Sequence, residues 1–227
     1  MFVELLLLAL ISLLIGVVPL FFVKFDLKIL LIAGAAYFSA VIIKSVVQVS
    51  FLQFFLTPQI QTYLAYGALT AVTEPGLAYL FSRFVRQYPQ TYGVSLAFWE
   101  NGILVGLLGL VTAIVLPPNY NLASVSPLLD EPLAVVVLGK TLDRLSSLLL
   151  HYAWGVSAYL SYWKKNVKFI LTTAPLGFID SLAAYVNLSH ISNYFVISVP
   201  ALVVGMVGLV LANYYLKEVD DAAFRPN

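Results

Sequence analysis

The chain has 227 residues, of which 61% are hydrophobic and 10% are charged, and its net charge is +1. Soluble domains contain about 45–50% apolar and about 25% charged residues, so this composition excludes a water-soluble globular domain. The near-neutral charge excludes a broad basic surface for nucleic acid, and the absence of cysteine excludes disulfides and thiolate metal sites.

Seven apolar segments follow one another along the chain, and each is long enough for a transmembrane helix of roughly 20 residues. None alternates with a period of two, so we predict helices and not barrel strands. The expected fold is an all-α, polytopic helix bundle in the cell membrane, with one membrane domain over residues 1–227. The predicted spans are Val3 to Val23, Leu27 to Val47, Tyr63 to Val85, Gly93 to Leu116, Leu133 to Leu160, Val167 to Tyr185 and Tyr194 to Leu216.

The lysine and arginine residues outside the spans predict the orientation of this bundle. Nine of them fall on one side of the seven-span arrangement, and the three loops of the opposite side contain none. Because cytoplasmic loops carry the excess of positive residues, we predict the N-terminus outside and the C-terminus in the cytoplasm. The nine residues are Lys24, Lys28, Arg83, Arg86, Lys164, Lys165, Lys168, Lys217 and Arg225.

Glycines predict local features of two spans. The fifth span is longer than one perpendicular helix needs, so we expect a break near Gly139 or a lead-in segment from Glu131. In span four, Gly102, Gly106 and Gly109 form a ridge of small residues that favours close helix packing, on the side away from Glu100.

Ionisable side chains also occur within the spans, where a charge at mid-bilayer costs about 2.5–3.5 kcal/mol. At that cost we expect these side chains to converge on a shared interior site. In span five, Lys140, Asp143, Arg144, Ser147 and His151 follow helical spacing and share one stripe. The other members of the set are Lys44, Glu74, Glu100 and Asp180.

The balance of these charges suggests the protonation state of the ionisable side chains. With Lys140 left out, two cations face four carboxylates, so we expect a protonated carboxyl or a cationic His151. A structural interpretation is open for some members: Asp143 with Arg144 as an internal ion pair, and Lys44 as the partner of one acid. Glu74 and Glu100 favour function, because two glutamates on consecutive apolar spans have no routine structural role.

Several short segments carry a resemblance to a known family. They are Gly34 to Phe38, Ala71 to Tyr79, Gly93 to Glu100, Asp143-Arg144 with His151 seven residues later, and Asp180. In their order they resemble the motifs of the YhfC-like family of intramembrane proteases, which is related to the CAAX-protease and PrsW groups. Pro75, Ala78, Leu96 and Leu176 stand where that family carries a glutamate, an arginine and two histidines, so the chain looks like a divergent member.

For a complete member, the resemblance implies that a glutamate, helped by histidines, activates water to attack a peptide bond within the membrane. Chemically, Glu74 is the candidate base, Arg144 or His151 the candidate oxyanion donor, and Glu100 and Asp180 candidates to orient water or His151. A zinc site would have only one histidine, so we expect no metal and no cofactor.

Three functions remain open from the sequence. The first is a glutamic-type intramembrane peptidase, and the second is a catalytically inactive relative that serves as a subunit or scaffold of a membrane complex. A proton-linked carrier is less favoured, because duplicated halves are not visible. The expected partners are membrane lipid and a membrane-protein substrate or partner subunit, and not nucleic acid.

Overall fold

The computed structural model describes the backbone of residues 2–116 and 131–223 and the side chains of residues 4–116 and 131–219. Every regular element within those ranges is a helix, which confirms the all-α prediction. Arg225 and nearly all of the predicted loop Pro117 to Pro132 lie outside the described residues.

The helices and adjoining helical turns agree with the predicted segments to within four residues at each end, except that α10 continues seven residues beyond the predicted Leu216 and that a short additional helix, α3, is present. The first part contains α1 (Phe2–Val17, followed by the 3-10 turn Val18–Phe22), α2 (Leu27–Ser50), α3 (Leu52–Leu56) and α4 (Ile60–Ser82). Next come α5 (Pro89–Ala97), a π-helical segment (Phe98–Leu107) and α6 (Leu108–Val115), which follow one another without a break. The last part contains α7 (Leu133–Trp163), α8 (Lys168–Thr173), a 3-10 turn (Ala174–Phe178), α9 (Ile179–Leu188) and α10 (Phe195–Ala223).

Five helical stretches within the described ranges are long and apolar enough to cross a membrane. Large apolar side chains cover their outer faces, among them Phe22, Val49 and Ile114, which are 84%, 70% and 72% exposed. Such a surface is incompatible with water and suits lipid. The five stretches are Glu4–Phe22, Leu27–Ser50, Pro89–Val115, Lys168–Leu188 and Phe195–Val219.

The other two long helices, α4 and α7, carry four charged side chains: Glu74 in α4, and Lys140, Asp143 and Arg144 in α7. They have 23 and 31 residues. Helix α4 packs against α2 and α9, and α7 packs against α5 and α10. Their polar faces are therefore covered by more apolar helices.

Helix α7 is continuous, so the predicted break near Gly139 is wrong, and the helix begins at Leu133 without a helical lead-in from Glu131. Its 31 residues span roughly 47 Å, which exceeds the hydrocarbon thickness of about 30 Å. Gly139 has a packing role: a Cβ atom there would lie 2.5 Å from Cδ1 of Tyr194. The glycine admits that ring against the helix instead of interrupting the helix.

The predicted glycine ridge of span four packs against α1. A Cβ atom on Gly16 would lie 2.3 Å from the backbone nitrogen of Gly102, and one on Gly106 would lie 2.8 Å from Cα of Leu13. Gly102 and Gly106 belong to the π-helical segment, and Gly109, the third glycine of the ridge, belongs to α6 and would place its Cβ 3.1 Å from Cβ of Ala9. The backbones of α1 and the π-helical segment thus touch directly, on the side away from Glu100.

This contact predicts a large effect of Gly16→Leu on stability. The new side chain meets backbone that has no room to move, so we expect the free energy of unfolding to fall by about 1–3 kcal/mol or more. Gly76→Ala is the matched control, because nothing lies within 4 Å of its added Cβ. That control should be neutral or stabilising by up to about 1 kcal/mol. Denaturation in detergent measures both, and equal stabilities of the two variants would contradict the contact.

Hydrogen bonds tie the basic loops together at one end of the bundle. Trp163 Nε1 donates to the Val85 carbonyl at 2.6 Å, and the Thr91 hydroxyl donates to the Lys24 carbonyl at 2.9 Å. We call this the basic end; its cations are Lys24, Lys28, Arg83, Arg86, Lys164, Lys165 and Lys168. At the opposite end the hydroxyls of Tyr63 and Ser189 lie 3.1 Å apart.

Candidate functional site

A cavity of about 440 Å³ lies among α2, α4, the π-helical segment, α7, α9 and α10. We call it the central cavity. The structure brings all five predicted site residues to its wall: Glu74, Glu100, Arg144, His151 and Asp180. The predicted convergence of the intramembrane charges is therefore confirmed for these residues.

Two glutamates and one histidine, from three helices, meet at the cavity wall. His151 Nε2 lies 3.2 Å from Glu74 Oε2 and 3.3 Å from Glu100 Oε2. The Glu74 and His151 side chains are only 8% and 5% exposed. Although these distances are short, neither oxygen lies in the direction of a hydrogen bond from Nε2, so this buried atom has no such partner among the described residues.

The other imidazole nitrogen fixes the orientation of the His151 ring. Nδ1 lies 2.9 Å from the carbonyl oxygen of Ser147, one turn earlier in α7. A carbonyl only accepts hydrogen bonds, so Nδ1 carries a proton and donates it. In the neutral ring, Nε2 then carries the lone pair and can accept a hydrogen bond. The rings of Tyr37 and Trp154 pack edge-on against the imidazole, with centroids 5.8 and 5.2 Å away.

Lys44 reaches Glu74 from α2. Its ammonium donates to Glu74 Oε1, which leaves Oε2 facing His151. This contact confirms the interpretation of Lys44 as the partner of one acid. The ammonium also lines the central cavity, with its side chain 19% exposed, and two of its three N–H donors have no partner among the described side chains.

Arg144 binds both the neighbouring acid and the second glutamate. Its Nη1 donates to Glu100 Oε1 at 2.9 Å, and its Nη2 and Nε donate to Asp143 Oδ2 at 2.8 and 3.1 Å. The predicted Asp143–Arg144 ion pair is confirmed. These contacts hold the guanidinium in one orientation and leave it little freedom to move toward a substrate.

Asn101 is a site residue that the sequence analysis missed. It is fully buried, its Oδ1 accepts from Arg144 Nη1 at 3.2 Å, and its Nδ2 donates to the Arg144 carbonyl at 3.1 Å. An amide directly after Glu100 in an apolar span is the signal that could have found it, because a buried amide needs partners. Asn101 joins the π-helical segment to α7.

Asp180 contacts the cluster less directly. The Thr70 hydroxyl donates to its Oδ2, and the carboxyl lines the central cavity. Lys140 also belongs to the network, since its Nζ lies 3.8 Å from Asp143 Oδ2. With Lys140 counted, three cations face four carboxylates, so the fully ionised cluster has a net charge of −1, which one protonated carboxyl or a cationic His151 would balance.

Glu74, Glu100 and His151 also form a set of possible metal ligands. Each offers one ligand atom, and these atoms lie within 4.8 Å of one another. Two carboxylates and one imidazole suit a divalent ion such as zinc, with water as the fourth ligand. Lys44 and Arg144 hold the other carboxylate oxygens and already compensate both charges. The absence of a metal stays a prediction.

The arrangement joins groups that accept protons, Glu74, Glu100 and His151, to a donor at the cavity wall, Lys44. Acid–base chemistry on a bound molecule requires this combination. Comparisons of the chain with family models, with curated proteins and with solved structures found no match. The resemblance to the YhfC-like family therefore rests on the quoted residues.

Proposed function

We propose that this protein is a glutamic-type intramembrane hydrolase that cleaves peptide bonds of membrane substrates. One observation carries the proposal: Glu74, Glu100 and His151, from three helices, meet at the wall of the central cavity, and Nε2 of His151 has no hydrogen-bond partner among the described residues. Burying such ionisable groups in a membrane is costly, which favours a functional reason for bringing them together.

In the proposed reaction a water molecule lies between His151 Nε2 and the two carboxylates. Glu74 accepts one proton from that water while the oxygen attacks the carbonyl carbon of the peptide. The tetrahedral intermediate then loses its C–N bond, and Glu74 returns the proton to the leaving amine. One peptide bond and one water become a carboxylic acid and an amine, so atoms and charges balance.

The oxyanion of that intermediate needs a donor, and Lys44 is better suited to this role than Arg144. Lys44 lines the cavity, and two of its N–H donors have no partner among the described side chains, whereas Arg144 already donates to Glu100, Asn101 and Asp143. Preorganised donors of this kind are worth about 10²–10³ in rate. Lys44 is therefore added to the candidate catalytic residues, and Arg144 becomes a positioning residue for Glu100.

The proposal includes the arrangement in the membrane. All seven long helices, α4 and α7 among them, cross the bilayer of the cell membrane. The N-terminus is outside, and the basic end faces the cytoplasm in accordance with the positive-inside rule. The central cavity then lies near mid-membrane, where a membrane-protein substrate enters from the lipid.

A second candidate is a catalytically inactive subunit of a membrane complex. The observation that favours it is the pairing of both glutamates: Lys44 holds Glu74, and Arg144 holds Glu100. Intramembrane charges commonly pair for structural reasons alone. This candidate predicts a stable stoichiometric partner on purification and no hydrolysis by the isolated chain.

Purified protein in liposomes, offered a library of transmembrane peptides, tests the proposal. We expect cleavage of at least one peptide, and we expect a chelator to leave it unchanged, because the proposed water activation needs no metal. Cleavage that stops with a chelator and returns with zinc would instead assign Glu74, Glu100 and His151 to a metal. Folded protein that cleaves nothing and carries a partner would favour the inactive subunit.

A further inference from the structure

An apolar groove runs along the membrane-facing surface between the beginning of α2 and the end of α4. Its volume is about 580 Å³. We call it the α2–α4 groove; its lining residues are Leu27, Lys28, Leu31, Ile32, Ala35, Phe81 and Phe84. Ala35 is exposed, and its small side chain leaves room for a neighbouring hydrocarbon chain. Within a bilayer, such packing holds a lipid chain by van der Waals contact.

Two cations stand at this groove, at the basic end of the bundle. Lys28 is the charged residue of its lining. The guanidinium carbon of Arg83 lies 4.5 Å from the ring centroid of Phe84, which also lines the groove. Both side chains are exposed, and neither pairs with a carboxylate among the described side chains. The positive charge at this place is thus available to a ligand.

A second membrane-facing groove differs from the α2–α4 groove in the charge of its lining residues. It lies between α4 and α9 and has almost the same volume, about 570 Å³. Its lining, which includes Leu64, Leu176 and Val204, contains no charged residue. Space for a hydrocarbon chain is therefore common to both grooves, whereas cations that suit a negatively charged headgroup occur at one.

We propose that the α2–α4 groove binds one anionic phospholipid. Its acyl chain packs against Leu31, Ala35 and Phe81, and its phosphate pairs with Lys28 and Arg83. The site is distinct from the central cavity and does not depend on the proposed function. At roughly fivefold per cation near an anionic headgroup, two cations correspond to about a 30-fold preference over a zwitterionic lipid.

Native mass spectrometry of the purified chain with equal amounts of phosphatidylglycerol and phosphatidylcholine tests this site. The wild type is expected to retain one phosphatidylglycerol with that preference. The double variant Lys28→Gln/Arg83→Gln should lose the preference. The control Lys164→Gln/Lys165→Gln removes two cations from the same end but away from the groove, and it should retain the preference.

Variants that fill a groove distinguish a lipid whose acyl chain occupies the groove from a lipid whose headgroup is attracted by charge alone. Ala35→Phe fills the α2–α4 groove and should abolish retention, whereas Leu64→Phe, in the other groove, should leave phosphatidylglycerol bound. All these positions are exposed, so the variants should elute and melt like the wild type. Millimolar inorganic phosphate should not displace the lipid.

Four results would overturn the proposal. The first is equal retention of the two lipids by the wild type. The second is an unchanged preference in Lys28→Gln/Arg83→Gln, and the third is an equal loss in the Lys164→Gln/Lys165→Gln control. The fourth is retention that Ala35→Phe does not affect.

Discussion

Replacing Glu74 with glutamine is expected to lower the rate of peptide cleavage by about 10²- to 10⁴-fold, because the amide cannot accept the proton of the attacking water. The fold should persist, since a glutamine side chain has the same shape and its amide oxygen still accepts from Lys44. The measurement is initial cleavage of a transmembrane peptide in liposomes, with the amount of folded protein matched between samples.

The control for this variant is Glu218→Gln, which makes the same change at an exposed position near the end of α10. It should cleave like the wild type. Glu100→Gln should behave like Glu74→Gln, because Glu100 is the second carboxylate at His151 Nε2. Cleavage at the wild-type rate by Glu74→Gln would dismiss Glu74 as the base, whatever the other variants do.

Replacing Arg144 with methionine is expected to lower the free energy of unfolding by about 3–5 kcal/mol, because Glu100 loses the cation that binds it and Asp143 keeps only Lys140, at 3.8 Å. Arg144 is the cation nearest to Glu100 and holds Asp143 with two hydrogen bonds. Methionine has a similar volume, so the loss of stability is expected to come from the missing positive charge and not from a cavity. Chemical denaturation in detergent measures it.

Two further variants test whether the loss of stability in Arg144→Met comes from the buried charge network. Lys164→Met removes an exposed cation and should change the free energy of unfolding by less than about 0.5 kcal/mol. Adding Asp143→Asn to Arg144→Met removes one of the stranded charges and should recover part of the stability. A loss below about 1 kcal/mol in Arg144→Met would show that the network contributes little to the fold.

The sequence predicts the helices well because a bilayer imposes one simple requirement. Each span needs an apolar run of sufficient length, so α2 begins at the predicted Leu27 and α7 at the predicted Leu133. Glu74 and Glu100 were found for the same reason, since an acid in such a run is conspicuous.

The wrong and missing predictions concern packing between helices, because the sequence of one apolar segment does not show which helix it will contact. The prediction of a helix break near Gly139 is wrong because this glycine makes room for the ring of Tyr194, which lies far along the chain. The π-helical segment, whose backbone packs at Gly102 against Gly16 of α1, was not predicted either. Asn101 escaped notice because its partner, Arg144, lies on another helix.

The most direct test of the account follows the oxygen of the water that is proposed to be activated between Glu74, Glu100 and His151. Cleavage of a transmembrane peptide in water enriched in oxygen-18 should place one heavy oxygen in the new carboxyl group, and Glu100→Gln should form labelled product about 10²- to 10⁴-fold more slowly than the wild type. Folded, monodisperse wild-type protein that incorporates no label into any peptide, or a Glu100→Gln variant that incorporates as much as the wild type, would contradict the account.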